Sequence, residues 1–256
     1  MSILSEIIER KRQRLESVKQ TAPRESFEVR SGSHRLREAL LRDGVNIIAE
    51  FKRRSPSKGL IRPDADLKQI VTSYEGGGAS ALSVLTEEDY FSGSLDDLRA
   101  AKSAVNLPVL RKDFIFDDYQ VYESAAAGAD AVLLIVAALE DEKLASLRRL
   151  AEDELGLDAL VEVHTRDEMQ RAIGCGANVI GVNNRNLHTF EVSLETSLSL
   201  AAEAPAGTLL VSESGLKNSI DLARLRDAGY NGFLIGESLM RSDDPAGALR
   251  ELTGTT

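Results

Sequence analysis

Short apolar runs recur along the chain, and four of them open on a glycine. Gly78-Ala79-Ser80-Ala81-Leu82-Ser83-Val84-Leu85, Gly128-Ala129-Asp130-Ala131-Val132-Leu133-Leu134-Ile135, Gly176-Ala177-Asn178-Val179-Ile180-Gly181-Val182 and Gly229-Tyr230-Asn231-Gly232-Phe233-Leu234-Ile235 share one form: a helix-stopping glycine, two spacer residues, then a β-type run. These glycines stand roughly 50 residues apart, too far for one strand–helix unit and right for two. Four further runs fill the gaps, at residues 46–52, 108–112, 158–163 and 208–213. Between the runs, residues 67–76, 95–104, 119–127, 144–155, 168–174, 194–203 and 219–228 place apolar side chains three or four apart, the period of a helix. Thr165 followed by Glu168 predicts a capping box at the start of one of them.

Eight strands alternating with helices, at about 26 residues per step, argue for a parallel sheet. Closure into a (β/α)8 TIM barrel is the expected architecture. An open doubly wound sheet is allowed by periodicity alone, but no G-x-G-x-x-G follows the first strand. The barrel is expected over residues 46–256, with 1–45 as a helical N-terminal extension of the same domain. In that extension Ile3, Leu4, Ile7, Ile8, Leu15 and Val18 form a helical stripe, and Leu36, Ala39, Leu40 and Leu41 a second short helix. An apolar stripe needs a surface to cover, so the extension is expected to cover one barrel end.

Composition narrows the function classes. With 43% hydrophobic and 28% charged residues, the chain has material for a full core. No window reaches the roughly 18 apolar residues of a membrane span, and the first residues lack the apolar region of a secretory signal, so a cytoplasmic protein is expected. A net charge of −10 leaves no electrostatic footprint for nucleic acid. An anionic ligand then needs a local basic cluster. The single cysteine, Cys175, excludes an intrachain disulfide and reads as a packed small residue.

Charged residues at strand C-termini stand out against an apolar barrel interior. Glu50 and Lys52, two apart, share one face of the first strand; Lys112 closes the third, Glu162 the fifth, Asn183 the sixth and Glu213 the seventh. All fall at the end where barrel active sites are built. Lysines and carboxylates meeting there supply acids, bases and mutual pKa tuning, although a ring of ion pairs plugging the barrel mouth is the plainer alternative. Ser214-Gly215 after the seventh strand and Gly236-Glu237-Ser238 after the eighth occupy the usual phosphate position of such barrels. Arg53-Arg54-Ser55-Pro56-Ser57-Lys58-Gly59 forms a basic loop fit to act as a lid over an anion. Glu162 and His164, two apart, suggest a metal only weakly, since the other histidines are His34 and His188 alone.

The segment Glu50-Phe51-Lys52-Arg53-Arg54-Ser55-Pro56-Ser57-Lys58-Gly59 closely resembles the signature of the indole-3-glycerol phosphate synthase family of tryptophan biosynthesis. The likeness continues through Asp89-Tyr90-Phe91-Ser92-Gly93-Ser94, Leu110-Arg111-Lys112-Asp113-Phe114-Ile115, Leu160-Val161-Glu162-Val163-His164, Ile180-Gly181-Val182-Asn183-Asn184-Arg185-Asn186-Leu187 and Ser212-Glu213-Ser214-Gly215, and it spans the full chain. The resemblance implies a carboxy-lyase that needs no cofactor. It would convert 1-(2-carboxyphenylamino)-1-deoxyribulose 5-phosphate to indole-3-glycerol phosphate, carbon dioxide and water. By resemblance Lys112 is the acid of ring closure. Lys52 and Glu162 are the candidates for dehydration, with the division between the two lysines left open. Glu50 would hold a lysine, Asn183 would orient the substrate, Arg185 would meet the anthranilate carboxylate, and Glu213 would support the polar network. Pro56, Phe91, Phe114, Leu133, Ile135 and Leu187 are expected as an apolar wall, with ordinary core packing equally good for Leu133 and Ile135. Ser55, Ser214, Gly215, Gly236, Glu237 and Ser238 complete the expected binding set.

Two competing functions remain at this stage: another phosphosugar barrel such as phosphoribosylanthranilate isomerase, and a non-catalytic phosphosugar-binding protein. The first would not need lysines on both the first and third strands, and the intact lysine and glutamate set argues against the second. Other tryptophan-pathway enzymes are conceivable partners, none of which the sequence identifies.

Overall fold

The computed structural model describes residues 3–29, 31–187 and 189–254 and shows eight parallel strands closed on themselves. They are β1 (Asn46–Phe51), β2 (Ala81–Leu85), β3 (Val109–Lys112), β4 (Ala131–Ile135), β5 (Asp158–Val163), β6 (Val179–Asn183), β7 (Leu209–Glu213) and β8 (Gly232–Ile235). Each pairs with its chain neighbour, and β8 pairs back onto β1. The helices α1 (Ile3–Thr21) and α2 (Arg35–Leu40) precede the barrel. One helix then follows each of the first seven strands: α3 (Leu67–Gly76), α4 (Leu95–Ala104), α5 (Asp118–Ala126), α6 (Asp141–Arg149), α7 (Arg166–Gly174), α8 (Glu195–Ala201) and α9 (Ser219–Asp227). After β8 come the short α10 (Glu237–Arg241) and α11 (Pro245–Thr253).

Helix starts follow from side chains that accept the unpaired first N–H groups. Asp66, Ser94, Asn218 and Asp244 each cap a helix in this way. The complete capping box forms at Asp117 and Gln120. At Thr165 only half of the expected box forms: its hydroxyl accepts from Glu168 N–H, but the Glu168 carboxylate turns away to accept the His164 N–H at 2.7 Å. The helix expected over 144–155 also differs. α6 ends at Arg149, and a π turn, Leu150–Glu154, carries the chain to Gly156, whose φ is 67°. This turn meets the extension closely, with Gly32 N–H donating to Leu155 O at 2.7 Å. A Cβ at Gly32 would lie 2.4 Å from Gly156 O.

The core has two layers. Ile47, Ala49, Phe51, Leu82, Val84, Val132 and Leu134 face outward and pack under the helices. Ile48, Ala81, Leu110, Ala131, Leu133, Leu160, Val179 and Val211 face inward and fill the barrel. The extension departs from expectation, because it covers both barrel ends. α2 plugs the N-terminal end with Leu36 and Leu40, which join the interior cluster, while Leu41 points out at 67% exposure. Gly232 leaves room for it: a Cβ there would sit 2.4 Å from the Leu40 side chain. The buried Asp158 at the start of β5 holds α2, accepting from the Arg37 N–H at 2.9 Å and Arg37 Nε at 2.7 Å. α1 lies at the opposite end. Lys11, 8% exposed, reaches Asp113 at 2.7 Å, and Arg14 pairs with Glu88 and Asp89. Burial would raise the Asp113 carboxyl, yet Lys11 and Arg111 hold it down at about 2.

Candidate active site

A cavity of about 880 Å³ opens at the C-terminal end of the strands. Strand alternation dictates its floor: Glu50, Lys112, Glu162 and Glu213 are the last interior residues of β1, β3, β5 and β7. In an ordinary barrel, four side chains from alternate strands make one aliphatic layer. Here that layer is ionic. Lys112 Nζ stands 3.2 Å from Glu162 and 3.3 Å from Glu213, while Lys52 Nζ donates to Glu50 at 2.5 Å. Asn183, closing β6, donates to the Glu162 carboxylate and accepts the Arg185 N–H at 3.0 Å.

The electrostatics of the layer follow from burial set against charge. Burial works against the Lys112 ammonium, but Glu213, Glu162 and Glu50 outweigh it and hold its pKa above the ordinary lysine value. Glu162 is likewise penalised by burial, and Lys112, His164 and the Asn183 amide pull it below the usual range. Glu213 goes the other way: burial, with the negative charge of Glu162 and Glu50, lifts it to about 8 against the pull of Lys112. One carboxylate of the pair is thus ionised beside Lys112 at neutral pH, and the other holds a proton. Glu213 Oε1 has no hydrogen-bond partner among the described residues and lies against Gly181, where a Cβ would come within 2.2 Å.

One consequence can be measured. A carboxyl raised from 4.5 to about 8 lends stability below its unfolded pKa that is lost as pH rises through its folded pKa. Glu213→Gln keeps the neutral form at every pH. Its stability relative to the native chain should therefore increase from about pH 4.5 to about pH 8 and level off above that, as followed by urea unfolding at each pH.

Every residue of the expected catalytic and binding set lines this cavity, whereas Arg53, Arg54, Gly59 and His164 do not. Pro56, Phe91, Phe114, Leu133, Ile135 and Leu187 form its apolar side, with the Phe91 and Phe114 rings 6.0 Å apart. Arg185 lies at the rim, donating to Phe190 O at 3.2 Å. Ser55 sits in a two-residue hairpin, Arg54–Ser55 against Gly59–Leu60, that the sequence reading left as an undivided loop. The basic loop is less free than expected, because Arg53 is bound bidentately to Asp97 at 2.7 and 2.9 Å. Lys58, which lines the cavity, stands 3.9 Å from Glu237. At the far end Ser214 and Gly215 turn through positive φ, 67° and 81°, and Gly236, Glu237 and Ser238 open α10. Gly236 has a second reason to be glycine: a Cβ would lie 2.6 Å from Glu50 Oε1. Sequence reasoning missed Ile3, Leu4 and Ile7 of α1 as cavity residues, although their apolar stripe was the signal, as well as Lys217, Asp221 and Arg241. Among the described residues, no group of three or more His, Cys, Asp and Glu is arranged to hold a metal ion. Among the same residues no helix is long and apolar enough to cross a membrane.

Comparison with known proteins agrees with this geometry. A solved 3-hexulose-6-phosphate synthase from Salmonella typhimurium superposes with a TM-score of 0.65 at 13% identity, over 82% of this chain and 98% of that one. A thiamine phosphate pyrophosphorylase from Pyrococcus furiosus gives 0.63 at 17%, over 86% and 96%. At such identities the likeness is one of fold, the (β/α)8 barrel. A curated indole-3-glycerol phosphate synthase from Koribacter versatilis (strain Ellin345) is 50% identical over 259 residues, covering 99% of both chains. The sequence model of the indole-3-glycerol phosphate synthases matches residues 4–252. With lysines and glutamates gathered at the mouth of a barrel and a match over nearly its whole length, the chain belongs to the indole-3-glycerol phosphate synthase family, carboxy-lyases of tryptophan biosynthesis.

Proposed function

We propose that this cavity closes the indole ring with Lys112 as the first acid, Lys52 as the second acid and Glu162 as the base. The observation that carries it is Lys112, half-buried on the floor of the family's cavity and held within 3.2 and 3.3 Å of two carboxylates, Glu162 and Glu213. The ring carbon bearing the carboxylate attacks the ketone, and a proton must reach the carbonyl oxygen as the C–C bond forms. A lysine kept charged by its neighbours gives that proton only when oxygen develops negative charge. Carbon dioxide then leaves with its bonding electrons returned to the ring. Dehydration follows: Lys52 protonates the departing hydroxyl, and Glu162 takes the proton from the adjacent carbon. Two protons go to oxygen and one comes from carbon, so each turnover takes up one proton from solvent.

In this reading Glu50 steadies Lys52, Asn183 and Glu213 fix the proton-bearing groups around Lys112, and Arg185 faces the anthranilate carboxylate. Pro56, Phe91, Phe114, Leu133 and Leu187 sandwich the aromatic ring. The phosphate lies between Ser214-Gly215 and the Gly236-Glu237-Ser238 turn, near Ser55. We place the reaction in the cytoplasm, within one domain and without a cofactor, beside other tryptophan-pathway enzymes. The test is incubation of the purified protein with the carboxyphenylamino substrate. Growing indole fluorescence is expected, and binding without turnover would overturn the reading. The phosphate end has its own test. Gly236→Val would displace Glu50, so Ser238→Asp, exposed at the start of α10, is the cleaner change. Its added negative charge should raise the inhibition constant for inorganic phosphate several-fold. An unchanged constant would move the phosphate site elsewhere.

A further inference from the structure

His164 belongs to a different setting from the cavity floor. It follows β5, and its ring is 11% exposed. Nε2 stands 3.4 Å from Glu162 Oε1, and Nδ1 is 3.1 Å from Glu168 Oε2, the same oxygen that accepts the His164 N–H at 2.7 Å. Glu168 is thus taken out of its expected capping role and clamps both the backbone and the ring of His164. The ring lines a second cavity of about 580 Å³, walled by Arg166, Thr196 and Glu203 among others, that Glu162 does not reach. Glu162 lines the first cavity, which His164 does not reach. The imidazole therefore stands in the barrel wall between two solvent spaces, with a carboxylate on either side. Two carboxylates at opposite nitrogens suit the doubly protonated ring: Nδ1 is hydrogen-bonded to Glu168, while Nε2, which makes no hydrogen bond among the described residues, meets Glu162 as an ion pair.

We infer that His164, clamped by Glu168, is a positioning residue for Glu162: an imidazolium that holds the carboxylate charged and oriented from behind while substrate occupies the front. This rests on the reading of Glu162 as the base of dehydration. Glu162 is faced by Lys112 from β3, Asn183 from β6 and Glu213 from β7, and the charge of Glu50 from β1 acts on both Lys112 and Glu213. Lys112 lies between Glu162 and Glu213, so His164 is a second positive group on Glu162, from the opposite side. On the outer side Arg166 is tied to Glu203 at 2.8 Å and Glu195 to Arg224 at 3.0 Å, leaving Glu168 as the group in contact with the ring. Burial opposes the imidazolium, but the hydrogen bond to Glu168 and the charges of Glu162, Glu168 and Glu213 raise its pKa above the ordinary histidine value. The cation therefore persists to higher pH than on an ordinary histidine, and it is present on the acidic side, where a base carboxylate most risks protonation.

The experiment is the pH profile of single-turnover indole formation, from about pH 5.5 to 8.5, in the native enzyme, His164→Asn and Glu168→Gln. In His164→Asn the acidic limb should move up by about one pH unit, with KM held within about twofold. The two profiles should converge at the alkaline end, once the pH has passed the raised pKa of the native imidazole. Glu168→Gln should move the limb in the same direction by less. The 13C carboxyl resonance of Glu162 should titrate correspondingly higher in both variants, a reading that does not depend on turnover. An unchanged acidic limb, or a rate lowered equally at every pH, would overturn the inference. Glu162→Gln separates the two readings. If it is inactive while the His164 profile is unchanged, only the role of His164 falls; if it keeps native activity, the base assignment falls and this inference with it.

Discussion

Lys112→Ala should lose turnover by at least about 10²-fold, with carbon dioxide release and indole formation falling together. Both signals depend on ring closure, and Lys112 is the group that reaches both Glu162 and Glu213 at the floor of the cavity. The variant should still fold. Removing a lysine from between two buried carboxylates would ordinarily leave a costly unpaired charge, but Glu213 is already lifted to about 8 and enters the variant as a neutral acid. Glu162 keeps Asn183 and His164 as partners. Circular dichroism and phosphate inhibition should therefore match the native enzyme. Lys112→Arg should fail almost as badly, because a guanidinium offers charge and hydrogen bonds but does not release a proton near neutral pH. Turnover near the native rate in either variant would remove Lys112 from the first step.

The second large effect separates the halves of the reaction in time. Carbon dioxide leaves before water, so a variant damaged only in dehydration still releases it in a first turnover. Lys52→Ala and Glu162→Gln should show carbon dioxide running ahead of indole fluorescence under single-turnover conditions, with steady-state kcat reduced by about 10²-fold or more. The geometry sets a limit on this separation. Glu162 lies 3.2 Å from Lys112, so the proton it takes from carbon is well placed to return to the lysine, and its loss also slows the reset of the first acid. Glu162→Gln should then show a further slowing between turnovers that Lys52→Ala lacks. Parallel loss of both signals in the first turnover would leave the two lysines jointly responsible for ring closure.

The barrel was legible because its period is written in residue types: a glycine before every second apolar run, and runs too apolar and too short for anything but a buried strand. The ionic layer was legible for the opposite reason, as charge placed where that pattern calls for leucine or valine. What sequence obscured were choices between partners of equal reach. Glu168 had two N–H groups nearby and took that of His164, which converted a routine helix start into support for a cavity residue. Gly236 reads as a glycine for phosphate, yet its nearest crowding neighbour is Glu50. Arg53 reads as a free cation of a lid, but Asp97, on a helix far along the chain, holds it. The apolar stripe of α1 announced a covered surface without saying which. Only the packed chain shows α2 at one end of the barrel and α1 at the other.

That path from end to end bears on how the molecule is made. The extension, residues 1–45, leaves the ribosome before the barrel does, when its partners do not exist yet. Lys11 waits for Asp113, Gly32 for Leu155, Arg37 for Asp158, and Leu40 for the space beside Gly232. A segment synthesised before the barrel is thus among the last to settle, and α2 does so only when β8 has been translated and can close on β1. Until then a helix with an apolar stripe stays unburied, the state in which a nascent chain most needs protection from its neighbours. Moving residues 1–45 to the C-terminus would reverse that order, delivering both end covers to a barrel already closed.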